Sequence, residues 1–345
     1  MKEERGSMGM HKVVSYLPDA ILARHSVEVP QGWDYVFEKY QGEEELIEAC
    51  RDADFLLVTA AGPPITAHVI QNIPSVRLLQ VFGAGFDKID TVAARDLNLP
   101  VANTPGQNAT TVAEFTIGAI IALQRKIFLG NREVKAGNYV DIERHFIRTG
   151  LQEVRESRIG LMGLGVIGRQ VARLANFMGA TVSYYDPYRA DKQVEEELQV
   201  TYLPYKELLQ SNEIISLHVP LNDDTRGLIT RKELELMQAD AILINTARGE
   251  IVDQGALAEA LEDGLVGGAA VDHFFPDPPP SEHPLLNLTE KAQDKLIVSP
   301  HIAGVTAGSF SRMLKKAQEN IHRVAAGDAP EFVVNGIGQA RSGNK

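Results

Sequence analysis

Short runs rich in Val, Ile and Leu recur along the chain, separated by stretches where apolar residues return every three or four positions. The first pattern suits strands buried on both faces and the second suits amphipathic helices, so their alternation predicts parallel α/β architecture. Near the N-terminus, 12–17, 54–59 and 78–82 read as strands, with helical stretches at 43–51 and 66–72. A Pro-marked segment, 99–106, leads into a long apolar helix beginning near Thr110, with Thr111 or a neighbour as its cap. A second series starts at Arg158 and holds six strands, at 158–162, 181–185, 213–219, 241–246, 268–271 and 295–299. It is self-contained, which places a boundary before Arg158. One more helix follows near 307–326 and can return to either domain.

Composition narrows the class. A length of 345 residues suits about two domains. With 44% hydrophobic and 23% charged residues, disorder is excluded for most of the chain. The 34 basic and 46 acidic residues leave a net charge of −12, which argues against a nucleic-acid partner. A small anion is still accessible, because one local arginine outweighs a distant negative field. Cys50 is the sole cysteine, so neither an intrachain disulfide nor a cysteine-based zinc site is available, and no metal-ligand cluster stands out. The first dozen residues lack the apolar core of a signal peptide. The most apolar stretch, 112–129, is interrupted by Glu114, Gln124, Arg125 and Lys126, so it reads as packed on protein. The expectation is a cytoplasmic protein with no membrane partner.

The sharpest motif is Gly163, Gly165 and Gly168, directly after the strand 158–162 and opening a helix. The first glycine permits a tight turn, the second lets backbone approach a pyrophosphate, and the third allows close helix–strand packing. Three glycines at this spacing arise by chance about 0.2 times in such a chain, so the setting carries the inference. Six strands is the count of a dinucleotide-binding sheet, and Asp186 ends the next strand 18 residues after Gly168. A carboxylate there accepts from an adenosine ribose and repels a 2′-phosphate, so NAD is expected over NADP. Arg189 pulls the other way, since a nearby arginine accommodates that phosphate.

Ligands in open α/β sheets bind beyond the carboxyl ends of strands. Arg248 follows the run 241–247, Asp277 lies in the loop after 268–271, and His301 follows 295–300. An arginine fork suits a carboxylate, and histidine is the usual proton shuttle near neutral pH. Each has a plainer reading as a surface ion pair, a loop carboxylate or a structural histidine. His218, near a strand end, and His273, beside Asp272, are rivals that spacing alone does not separate from His301.

From about Asp54 to Val334 the chain resembles the D-isomer-specific 2-hydroxyacid dehydrogenases, nearest the phosphoglycerate, hydroxypyruvate and glyoxylate reductase-like members. The blocks that carry the resemblance are 101–108 with 112–114, 163–168 with Asp186, 218–221 with 225–228, 245–249 with Val252 and Asp253, and 299–304. The resemblance implies a catalytic arginine, acid and histidine at Arg248, Asp277 and His301. It implies substrate contacts from Ala84, Gly85 and Asn108 as well as Arg248 and His301. Cofactor contacts are implied at Gly163, Gly165, Val166, Ile167, Gly168 and Asp186, and further at Val219, Pro220, Thr225, Thr246, Ala247, Asp272 and Gly304. The implied fold is two doubly wound parallel sheets, a Rossmann-type NAD domain (107–303) inserted into a smaller flavodoxin-like substrate domain (11–106 and 304–336). Residues 1–10 and 337–345 are expected as tails, and a homodimer built through the long helix after Asn108 is implied. One departure stands out: the family's acid is glutamate, whereas Asp277 is one methylene shorter, which bears on its reach to His301.

The expected reaction is hydride transfer between NAD(H) and C2 of a small 2-hydroxy or 2-oxo acid, with His301 as proton donor or acceptor. The alternatives are an NAD-sensing, corepressor-like protein without turnover and a dehydrogenase of a related small anion such as formate or phosphite.

Overall fold

A computed structural model describes residues 11–25, 28–37, 40, 42–59 and 62–341. The tail expected at 1–10 lies outside them, as do residues 342–345. The chain divides into two compact units, 1–108 with 306–345 and 109–305.

The first unit is a five-stranded parallel sheet: β1 (Lys12–Ser15), β2 (Asp34–Phe37), β3 (Phe55–Thr59), β4 (Leu78–Phe82) and β5 (Val101–Ala102). Its order, β2-β1-β3-β4-β5, is the doubly wound flavodoxin-like one. Because successive side chains alternate faces, Val14 and Leu56 enter one core with Leu46, Ile70 and Leu99. Val13, Phe55 and Leu57 enter the other, against Met313, Leu314, Ala317, Ile321 and Val324 of the helix Ala307–Ala325. That helix therefore belongs to the first unit. Thr306 caps it, its hydroxyl accepting from Ser309 N–H at 3.1 Å while Ser309 Oγ accepts from Thr306 N–H at 3.0 Å. Beyond it, Val334 N–H donates to Val101 O at 2.8 Å, and the Asn335 side chain bonds Val101 N–H and Leu99 O. Arg341 donates to Val76 O at 2.9 Å, so residues 337–341, expected as part of a tail, fold back on the first unit.

The second unit holds seven parallel strands, not six: β6 (Arg158–Met162), β7 (Thr181–Tyr185), β8 (Val200–Tyr202), β9 (Ile214–Leu217), β10 (Ile242–Asn245), β11 (Gly268–Val271) and β12 (Leu296–Val298). The additional β8 is a three-residue edge strand, Val-Thr-Tyr, without the Val, Ile and Leu run that marks the equally short β12. The order β12-β11-β10-β9-β6-β7-β8 is the Rossmann order with one strand added. β9, β10 and β11 are buried along their whole length, which explains their unbroken apolar runs.

The long apolar helix is Ala109–Gln124, so Thr111 lies within its first turn and is not its cap. Ala113, Ile117 and Ile120 share a core with Val171, Ala172 and Ala175 of the helix Val166–Phe177. The second unit thus begins at residue 109, well ahead of its first strand. Two further helices, Ile127–Lys135 and Tyr139–Thr149, bury no residue and leave Phe128, Val134, Tyr139, Val140 and Ile147 exposed. No described helix is long and apolar enough to cross a membrane.

Candidate active site

β6 turns at Gly163, whose φ is +97°, into the helix Val166–Phe177. A Cβ on Gly163 would sit 2.6 Å from His218 O, and one on Gly168 would sit 2.2 Å from Gly163 O. Both positions exclude any side chain. Gly165, by contrast, has open space around its absent Cβ, which leaves the N-terminus of a twelve-residue helix approachable by a ligand's phosphates. Val166 is exposed and Ile167 half-buried. Past β7, Asp186 accepts from Leu164 N–H with one oxygen and from Tyr188 N–H with the other, each at 3.0 Å. These residues fit a dinucleotide: an open glycine turn, a helix N-terminus and a carboxylate tied to that turn.

Beyond β9, Val219 and Pro220 enter a turn that Thr225 closes, its hydroxyl donating to Pro220 O at 2.6 Å. Beyond β10, Thr246 is buried with its hydroxyl 3.3 Å from that of Thr116. The buried Asn245 braces the next residues, accepting from Ala247 N–H at 3.1 Å and donating to Arg248 O at 2.8 Å. Arg248 is half-buried, and its Nη1 donates to Ala247 O at 2.7 Å. A Cβ on Gly249 would lie 2.4 Å from Phe274 O, so the arginine's loop and the loop after β11 pack backbone to backbone.

Asp272 is buried and staples the histidine's turn. Its carboxylate accepts from Ser299 Oγ at 2.5 Å and from the N–H groups of Ile302 and Ala303 at 2.9 Å, while its carbonyl accepts from His301 N–H. His301 adopts a left-handed φ of +56°, held by these bonds, and Gly304 completes the turn. His301 Nδ1 lies 3.1 Å from Asp277 Oδ2, so the shorter acid reaches the imidazole directly.

The rival histidines are held neutral. His218 pairs with Ser216 Oγ at 2.9 Å, and desolvation pushes its pKa down to about 4. His273 is buried, which pushes its pKa to about 2, with the neighbouring charges of His301 and Arg248 adding to the shift. Arg248, His301 and Asp277 are thus gathered around the loop that carries His273.

In the first unit, β4 ends at Gly83, whose N–H donates to Thr104 Oγ1 at 2.9 Å. The Asn103 amide donates to Ala84 O at 2.8 Å. The N–H groups of Ala84 and Gly85 have no acceptor among the described residues. Asn108 is the last residue of this unit before the helix Ala109–Gln124.

Sequence reasoning missed Gln254. Buried, it donates to His273 O at 2.8 Å and accepts from Phe275 N–H at 3.1 Å, fixing the loop that leads to Asp277. Only the fold brings these residues together, and no local spacing marks them.

Residues 117–303 match the family model described as D-isomer specific 2-hydroxyacid dehydrogenase, NAD binding domain. A glyoxylate reductase of Korarchaeum cryptofilum is 35% identical over 290 residues, covering 84% of this chain and 85% of the relative. Among solved structures, D-lactate dehydrogenase with NAD+ from Lactobacillus jensenii has a TM-score of 0.75 at 27% identity, covering 94% of this chain and 99% of that one. An acyclic imino acid reductase in complex with NADPH and D-Arg has a TM-score of 0.80 at 26% identity, covering 94% of this chain and 99% of that one. With its two doubly wound sheets and its open glycine turn, the chain belongs to the D-isomer-specific 2-hydroxyacid dehydrogenase family and is an NAD-dependent oxidoreductase acting on CH–OH groups.

Proposed function

We propose that the chain transfers hydride between NAD(H) and C2 of a small 2-hydroxy or 2-oxo acid of the glyoxylate, hydroxypyruvate or 3-phosphoglycerate class, with Arg248, Asp277 and His301 as its working groups. The observation that carries this reading is the 3.1 Å contact of His301 Nδ1 with Asp277 Oδ2, which leaves Nε2 for the substrate. NADH, when bound, supplies hydride to C2 of the substrate. The Arg248 fork holds the substrate carboxylate and draws charge onto the carbonyl oxygen. His301 donates its Nε2 proton to that oxygen, and in the oxidation direction takes it back. Asp277 keeps Nδ1 protonated and so fixes the ring's orientation. In the first unit, the N–H groups of Ala84 and Gly85, with Asn108, are the proposed further carboxylate contacts. The backbone of 163–168 would hold the pyrophosphate and Asp186 the ribose, with Thr225 and Asp272 maintaining neighbouring turns.

A homodimer built through the exposed apolar residues of Ile127–Lys135 and Tyr139–Thr149 is part of this reading. A cytoplasmic location accords with the single free, buried Cys50. The test is NADH oxidation against glyoxylate, hydroxypyruvate, phosphohydroxypyruvate and pyruvate, with formate and phosphite tried alongside NAD. Turnover of a 2-oxo acid supports the proposal. NADH binding without turnover would favour a sensor, and activity confined to formate or phosphite a different dehydrogenase.

A further inference from the structure

Next to Asp186 stands a side-chain lock that the reaction itself does not use. Arg189 donates from Nε to Glu195 Oε1 at 2.9 Å and from Nη2 to Oε2 at 3.0 Å, a bidentate pair. Glu195 is itself fixed: the buried Tyr184 hydroxyl donates to its Oε1 at 2.7 Å. That hydroxyl accepts from Ala190 N–H at 2.9 Å, which ties the arginine's own backbone to the same assembly. The Arg189 guanidinium also lies over the Tyr202 ring, 5.1 Å from its centroid, and Tyr202 packs edge-on against Tyr184. Glu195 keeps 12% of its side-chain surface exposed against 58% for Arg189, so the acid is the anchored partner. The paired charges hold the Glu195 carboxyl down at about 2, so it is ionised at any working pH.

An arginine just past the carboxylate that ends this strand is the residue type that accommodates a 2′-phosphate. Here the Nε–Nη2 edge of its fork is already spent on a carboxylate. We propose that Glu195 is a cofactor-specificity residue: by holding and neutralising Arg189 it completes the discrimination against NADPH that Asp186 begins. Removing the acid frees a guanidinium beside the ribose carboxylate, and the phosphorylated dinucleotide gains a partner. This holds whichever 2-oxo acid is reduced. Arg169, which donates to Leu164 O at 3.0 Å, is a further cation beside this turn and stays constant throughout the test.

Dissociation constants for NADH and NADPH, read from nucleotide fluorescence without substrate, test the proposal in the full chain. Glu195→Ala should tighten NADPH about fivefold or more, the scale of one newly available charge contact, with NADH within twofold of wild type. Glu195→Gln retains an oxygen to accept from Tyr184 while losing the charge, so it should move NADPH in the same direction with the melting temperature preserved. Adding Arg189→Ala to either variant should cancel the gain. Unchanged NADPH affinity in a folded Glu195→Gln would overturn the proposal, as would a gain that survives loss of Arg189.

Discussion

The imidazole of His273 lies against that of His301, with ring centroids 3.8 Å apart and planes inclined by 54°. One ring is buried and stays neutral; the other pairs with Asp277. Neither nitrogen of His273 makes a hydrogen bond among the described residues, the nearest acid oxygen, Asp272 Oδ2, standing 3.6 Å from Nδ1. The neighbour of the proposed proton donor is thus a ring that resists taking a proton itself.

That resistance makes folding sensitive to acid. An unfolded histidine titrates near 6.5, whereas folded His273 and His218 titrate near 2 and 4. As pH falls from 7 to 5 the unfolded chain binds protons that the folded chain refuses, so stability falls, by roughly 2 kcal/mol per histidine. His273→Leu should remove about half of that loss and, by deleting two unpartnered buried nitrogens, add about 1 kcal/mol of stability at pH 7. Urea unfolding of both proteins at pH 7 and pH 5 measures it. An undiminished acid loss in the variant contradicts the assignment.

His301→Asn should lower turnover by roughly 10²–10⁴, the range for loss of a general acid, while NADH affinity stays near wild type. His218→Asn should retain most activity, since His218 is already bonded to Ser216. Steady-state rates paired with fluorescence titration separate the two, and a reversed ranking would assign the proton to His218.

Asp277→Asn keeps an oxygen that can accept from Nδ1 but removes its charge, and charge-assisted bonds are about twice as strong as neutral ones. Turnover should drop roughly tenfold with NADH affinity unchanged. Asp277→Glu, the family's usual residue, should recover most of the rate. Full activity in Asp277→Asn strikes the acid from the mechanism.

Gly249→Ala forces a methyl to within 2.4 Å of Phe274 O, backbone against backbone, where no flexible side chain can yield. The two loops must part, at a cost of about 1–3 kcal/mol, and Arg248 moves with its neighbour. The expected result is a lower melting temperature with a raised KM for the 2-oxo acid. A variant as stable and active as wild type would mean that this contact does not hold the arginine.

How much of this was readable in advance depends on how local each cause is. Gly163, Gly165 and Gly168 are set by backbone clearance within a six-residue span, so their spacing and the preceding strand reveal them. β2, β5 and β8 escaped notice because DYVF, VA and VTY hold no run of Val, Ile and Leu, unlike the equally short β9, β10 and β12. Separating His301 from His218 and His273 requires knowing which ring is desolvated, and desolvation comes from distant residues. Gln254 is the extreme case, since its two partners lie about twenty residues further along.

The helix Ala307–Ala325 closes one face of the first unit's sheet, yet it is made after the whole second unit. Val13, Phe55, Leu57 and Leu78 leave the ribosome about 235–300 residues before Met313, Leu314 and Ile321 arrive to cover them. At 5–20 residues per second that interval is about 12–60 s. Synthesis order therefore opposes structural order: the unit whose strands are made first finishes folding second, and for that interval the nascent protein carries a bare apolar sheet face within reach of chaperones.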